Sequence, residues 1–122
     1  MHINLEATEK NAIQAYTEHQ IQINTIIYEK SFIVSKEEII SDLEIKDIQH
    51  MDENYLQLLM RIKPEVILIG HEHQGKFPPM SIIGLLSQQR IGIECMSIGA
   101  ACRTYNVLLG EHRSVVAGFI LT

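Results

Sequence analysis

Gly92-Ile93-Glu94-Cys95-Met96-Ser97-Ile98-Gly99-Ala100-Ala101-Cys102-Arg103-Thr104-Tyr105-Asn106 changes character twice along its length. Gly92 to Met96 is a short apolar run that reads as a strand. Ser97-Ile98-Gly99 is a break of small and capping residues, and Ala100-Ala101-Cys102-Arg103 opens a run of helix formers. A strand that feeds directly into a helix is the repeating step of an α/β sheet. Small residues let the start of that helix lie close to its neighbours. Its first-turn N–H groups lack intrahelical partners and direct partial positive charge ahead of them. A functional pocket is therefore expected at this strand-to-helix step.

The same alternation runs on both sides of the stretch. Asp52 stands where it can cap a helix with apolar positions Tyr55, Leu58, Leu59 and Ile62, and Pro64 ends that helix. Val66-Ile67-Leu68-Ile69, closed by Gly70, is aliphatic at every position, as in a strand covered on both faces of a parallel sheet. His71 to Phe77 reads as a loop and Pro78-Pro79 as a helix start, leading a helix through Ile82, Ile83 and Leu86 to Gln89. The helix from Ala100 to Leu109 then gives way to a last strand, Val115 to Leu121. From Asp52 onward helix and strand alternate, which implies right-handed crossovers with helices packed on a sheet. The segments ending near Ile69 and Met96 are expected side by side, with the cysteine-bearing helix tip beside the histidine loop.

Toward the N-terminus, Ile21, Ile23, Thr25 and Ile27 alternate with Gln22, Asn24 and Ile26, and polar Glu29-Lys30-Ser31 precedes Phe32-Ile33-Val34. β-branched residues at period two broken by a polar cluster read as a hairpin, with a third short strand at Glu38 to Ser41. Residues 1–19 hold no sustained period and are expected to form a loosely ordered arm. The whole predicts one domain over residues 1–122. Its fold class is α/β, three-layered, with a mixed, mostly parallel central sheet, flanking helices and an N-terminal antiparallel hairpin.

Composition narrows the function classes. The chain has 122 residues, 46% hydrophobic and 20% charged, enough to bury roughly two-thirds of its unfolded surface. The formal charge of -5 comes without a Lys/Arg stripe, so nucleic-acid binding is not expected. No apolar run approaches the ~20 residues of a membrane span, so no integral membrane segment is predicted. The N-terminus lacks the basic start and apolar core of a secretory signal, and a cytoplasmic location is the simplest expectation. Cys95 and Cys102 are too few for a disulfide scaffold and are read as reduced thiols.

Several residues carry candidate chemistry. His71, Glu72 and His73 follow a parallel strand at the end where ligands collect in open sheets. A metal there needs a further ligand such as His112 or Glu94, which spacing does not supply, so neither a metal nor another cofactor is assigned. Cys102 sits in the first turns of a helix beside Arg103, a setting that favours thiolate, yet no base adjoins it in sequence. Packing is the favoured role of Cys102, and Cys95 is expected in the core. Arg103, with Asn106, Glu111 and Arg113, is suited to gripping a carboxylate or phosphate, and an internal ion pair would occupy it equally well. Tyr105, spaced with Ala101 and Leu108, reads as a wedge between helix and sheet whose hydroxyl finds a partner.

The block Ala100 to Leu109, with Glu111, Arg113 and the Val115-Val116-Ala117-Gly118 strand, resembles a small α/β family. That family includes mitochondrial complex I assembly factor 3, the adipogenesis-associated Mth-domain-containing protein and many uncharacterised bacterial and archaeal proteins. The upstream Val66-Ile67-Leu68-Ile69-Gly70 strand and Phe77-Pro78-Pro79 match the family's order as well. The resemblance implies the three-layer fold already described and carries no known catalytic residues. Its mitochondrial members act as assembly factors through protein contacts. Two departures stand out: Gly70-His71-Glu72-His73 where relatives often have Gly-Thr-Gly, and Ser97-Ile98 where they often have Asp-Thr.

Two functions follow as expectations. The first is a non-enzymatic protein-interaction or assembly-factor-like domain with a protein partner, or a second copy of itself, on a sheet edge or helix face. The alternative is a small-anion-binding protein or enzyme. Its pocket would lie between the Gly70–Gly75 loop and the start of the Ala100 helix, with Gly70, His71, His73, Cys102, Arg103 and Asn106 as candidate ligand residues.

Overall fold

The structure is a computed structural model that describes residues 3–5 and 9–122. Its strands are β1 (Ile3–Asn4), β2 (Ile13–Tyr16), β3 (Ile21–Ile23), β4 (Ile26–Tyr28), β5 (Ser31–Ser35), β6 (Ile39–Leu43), β7 (Val66–Gly70), β8 (Gly92–Met96) and β9 (Val115–Phe119). The helices are α1 (Glu53–Leu59), α2 (Met80–Gln88) and α3 (Ile98–Gly110). An antiparallel sheet runs β1-β2-β3-β4, and a mixed sheet runs β6-β5-β9-β7-β8. In the mixed sheet β7 pairs in parallel with β8 and β9, while β5 runs antiparallel to β6 and β9. The mixed central sheet, flanking helices and antiparallel hairpin element are those the chain's patterning predicts.

Local chemistry accounts for the helical half. The Asp52 carboxylate accepts the Tyr55 N–H at 2.9 Å and caps α1. That helix tightens into a 3₁₀ turn over Met60–Ile62 and stops at Lys63, whose φ of 52° is left-handed, just before Pro64. In β7, Ile67, Leu68 and Ile69 are all fully buried. Leu68 belongs to the core under α3, and Ile67 and Ile69 to the core under α1 and α2. This two-sided burial is why the run carries no polar position.

α3 lies between the two sheets. Ile98, Ala101, Cys102, Tyr105 and Leu109 form its buried stripe, packed against Ile13, Ile21 and Ile23 of the small sheet and Leu68, Ala117 and Phe119 of the large one. The approach is close: a Cβ on Gly70 would stand 2.9 Å from both the Ala101 Cβ and the Phe119 ring, so only glycine fits there. Tyr28 stacks on Phe32 at 4.7 Å between ring centroids, and Phe32 on Phe119 at 5.3 Å, carrying the core from one sheet to the other.

The N-terminal expectations are corrected in two places. From Glu9 to Thr17 the chain is no loose arm, for β2 is a central strand of the small sheet with Ile13, Ala15 and Tyr16 buried. Side chains distant in sequence fix it. Asn106 of α3 accepts the Ile13 N–H at 2.9 Å and donates to the Ile13 carbonyl at 2.8 Å. Tyr105 donates to the Asn11 carbonyl at 3.0 Å, and Asn11 donates to the Ser35 carbonyl at 2.9 Å. Met1, His2 and residues 6–8, also assigned to the arm, lie outside the described residues. The hairpin turn falls at Asn24-Thr25, not at Glu29-Lys30-Ser31. Positive φ at both residues, 51° and 69°, makes it a type I′ turn whose twist suits a two-residue hairpin. Glu29 to Ser31 instead carries the chain into the second sheet. There the buried Ser31 hydroxyl donates to the Ile45 carbonyl at 2.6 Å and accepts the Leu121 N–H at 3.0 Å.

Candidate functional site

β7 and β8 lie side by side, Ile69 opposite Cys95 and Gly70 opposite Met96. At their C-terminal ends opens a cleft of about 250 Å3, bounded by the loop His71 to Phe77 and by Cys95, Met96 and Ser97. Ser97 is the N-cap of α3, with its hydroxyl oxygen accepting the Ala100 N–H at 3.2 Å. The histidine loop and the tip of the cysteine-bearing helix therefore meet, as anticipated.

The loop is held by its own polar groups. The His71 N–H donates to the Met96 carbonyl at 3.0 Å, which continues the β7–β8 ladder by one residue. The His71 Nδ1 accepts the His73 N–H at 3.2 Å, and the Lys76 N–H donates to the His73 carbonyl at 3.2 Å. Lys76 reaches across to Asp47, Nζ to Oδ2 at 2.7 Å, while the His73 Nδ1 stands 3.9 Å from the same oxygen. The Lys76 hydrogen bond, helped by the Gln49 N–H, holds the Asp47 carboxyl down at about 2. Burial and the neighbouring His73 hold His71 below the usual imidazole value, which favours its neutral form.

The sequence-derived residues divide. His71 and His73 line the cleft, and Gly70 lies beneath it, turned toward α3. Cys102 is fully buried and its thiol is pushed up to about 12 by burial, with Arg103 opposing the shift. Arg103 lies on the outer side of α3 and donates to the Tyr16 hydroxyl, not to the carboxylate anticipated for it. Asn106 is spent on Ile13. Arg113 pairs with Glu65 at 3.4 Å, away from Arg103. Cys102, Arg103 and Asn106 thus do not reach the cleft. Cys95 is half-buried: it packs against the core under α1 and α2, as expected, and also lines the cleft, with its thiol raised to about 11 by burial. Tyr105 is fully buried and its hydroxyl is bonded, as its spacing indicates. Among the described residues no group of three or more His, Cys, Asp or Glu side chains is arranged to hold a metal ion. Lys76 and Asp47 escaped the sequence reading because a pair 29 residues apart leaves no local pattern.

A mixed sheet with α3 wedged against a second, antiparallel sheet and a cleft at the ends of β7 and β8 defines a small α/β domain. Over residues 13–120 the chain matches, and belongs to, the family described as a protein of unknown function (DUF498/DUF598). A Francisella tularensis subsp. holarctica relative called 13 kDa major membrane protein is 31% identical over 101 residues, 82% of each chain. A crystal structure described as an outer membrane protein from Bartonella henselae superposes with a TM-score of 0.78 at 28% identity, over 95% of this chain and 98% of that one. A Bordetella pertussis structure described as a Mth938-like domain shares the fold, with a TM-score of 0.75 at 21% identity over 97% and 92% of the two chains.

Proposed function

We propose that this protein is a non-catalytic, assembly-factor-like interaction domain of the cytoplasm that holds a protein partner along the open edge of its small sheet. The observation that carries the reading is β4. Among the described residues this strand pairs only with β3, and its Ile26 and Ile27 are 54% and 55% exposed. Ile26 lies opposite Ile23, on the face where Ile21 and Ile23 are fully buried, so it carries that apolar face beyond the part the described residues cover. In a two-residue hairpin the residues flanking the turn, Ile23 and Ile26, exchange hydrogen bonds. The next pair, Gln22 and Ile27, does not. Ile27 therefore turns its N–H and C=O outward, where an added strand would take them. A cleft of about 450 Å3 lies alongside, between β4 and residues Ser41 and Asp42 of β6.

The chemistry of the remaining candidates supports a non-catalytic role, since Cys102 is protonated and buried and Arg103 and Asn106 are engaged internally. Two relatives bear membrane names, yet no helix among the described residues is long and apolar enough to cross a membrane. A net charge of -5 disfavours anionic lipid. A membrane-bound protein partner reconciles those facts. The test is affinity capture from membrane and soluble fractions with the full chain, its Ile27→Pro variant and its Ile26→Lys variant, beside light-scattering masses. A partner held by the parent and lost by both variants supports the reading, and a dimer broken by both makes the partner a second copy. Identical captured sets and identical masses for all three chains refute it.

A further inference from the structure

The cleft at the ends of β7 and β8 shares no residue with the β4 edge and has its own chemistry. We infer that it binds a small monocarboxylate, whose carboxylate meets His71 and the first turn of α3 while its apolar end lies against Phe77, Cys95 and Met96.

His71 carries the argument. It is only 8% exposed, yet it lines the cleft. Its Nδ1 is occupied by the His73 N–H, so in the neutral ring the proton sits on Nε2. That N–H has no protein partner among the described residues, which leaves it a donor for an occupant of the cleft that His71 lines. Beside it stands the start of α3. The Ser97 oxygen is used as the cap acceptor, which leaves its own hydrogen to donate, and the Ile98 and Gly99 N–H groups precede the first intrahelical bond. These donors and the helix dipole favour a negative charge at this point.

Charge balance selects the kind of anion. Glu72 lines the cleft, and the only ammonium there, Lys76, is held by Asp47 at 2.7 Å. A phosphate dianion would meet Glu72, and the Lys76–Asp47 pair, already neutral, leaves no free cation among the cleft's described residues to offset it. A single carboxylate asks only for the neutral donors just described. Beside the polar His73 and Gln74, the wall has an apolar part made of Met96, the half-buried Cys95 and Phe77, a residue 67% exposed.

The experiment is an amide and imidazole NMR titration of the full chain at pH 7 with butyrate, and with inorganic phosphate at matched ionic strength. Butyrate should give saturable shifts confined to residues 71–77 and 95–100, with a Kd on the order of 1 mM. His71→Ala should weaken binding by about tenfold or more, the loss of a hydrogen bond to a charged group. His71→Gln, whose side-chain amide restores a donor, should recover part of it. Phe77→Ala, a change at an exposed position that leaves folding intact, should weaken butyrate several-fold. Linear, unsaturable shifts, phosphate binding tighter than butyrate, or unchanged butyrate affinity in both Phe77→Ala and a well-dispersed His71→Ala would each overturn the inference.

Discussion

Replacing Asn106 with alanine tests whether α3 organises the N-terminal sheet. The Asn106 amide bonds both backbone groups of Ile13, a residue with no exposed surface. Alanine deletes two hydrogen bonds and strands an N–H and a C=O where water reaches them poorly. Leaving each of the two groups unsatisfied costs about 1.5 kcal/mol, within the about 1–3 kcal/mol range for a buried polar group. Alanine's better helix propensity returns about 0.6 kcal/mol. The net loss is about 2–3 kcal/mol, a large share of the ~5–15 kcal/mol that stabilises a domain of ordinary size. With a urea m-value of about 1.5 kcal/mol/M, the midpoint should fall by about 1.5 M.

Asn106→Asp sharpens the test. Its carboxylate keeps the acceptor for the Ile13 N–H but sets a charged oxygen against the Ile13 carbonyl. Protonation converts that oxygen to a donor, so the folded-state pKa of the new carboxyl is raised. The variant should therefore be destabilised at pH 7 and recover part of the loss as the pH falls toward 4. Urea melts followed by circular dichroism, with amide exchange at Ile13 and Tyr16, measure both effects. A midpoint shift below about 0.3 M for Asn106→Ala, with protection in β2 unchanged, would refute the coupling.

Other outcomes follow from the same geometry. Tyr105→Phe should cost about 1 kcal/mol by losing the bond to Asn11. Tyr55→Phe should be neutral or stabilising, because the Tyr55 hydroxyl is buried over Gly118 without a partner among the described residues; thermal melts of the two variants make the contrast. Iodoacetamide at pH 8 should label Cys95, half-buried in the cleft wall, well before the fully buried Cys102, as peptide mapping would reveal. Asp47 has a folded pKa of about 2 against an ordinary 3.8. Its contribution is thus complete above the unfolded value and lost as pH falls from about 4 to about 2. Asp47→Asn should flatten the acid limb of the stability profile in that window.

The helical half was legible because its signals are local. Asp52 announces a cap, the unbroken aliphatic run of β7 announces two covered faces, and Ala101 and Tyr105 fall on one helical stripe as their spacing predicts, a stripe that Ile98, Cys102 and Leu109 complete in place of Leu108. The same stripe explains why Cys102 packs into the core although it follows the helix start so closely. β2 and Asn11 before it were illegible because their partners Asn106 and Tyr105 lie 93 and 94 residues away, and no periodicity encodes them. The Asn24-Thr25 turn was missed because threonine is a poor signal for positive φ, a conformation the flanking strands impose on it. At the cleft, the histidine loop followed from the rule that ligands gather at strand C-termini. The Lys76–Asp47 clasp did not, since it joins two loops that only the folded sheet brings together.

The division of labour within α3 separates the two proposed surfaces. Its buried stripe is committed to both sheets, so what remains for function lies at its N-terminal tip and along sheet edges. The tip meets β8, one edge of the mixed sheet, while the cleft beside β4 is bounded by β6, the opposite edge. Four strand spacings of about 4.8 Å put roughly 19 Å between those edges. Substitutions that share no partner over such a distance act additively. His71→Ala should therefore leave partner capture unchanged, and Ile26→Lys should leave carboxylate binding unchanged. Coupling between them would require the small sheet to move against α3, and the Asn106 bridge to Ile13 opposes that motion. An Asn106→Ala background is accordingly where any communication between the two surfaces would first become measurable.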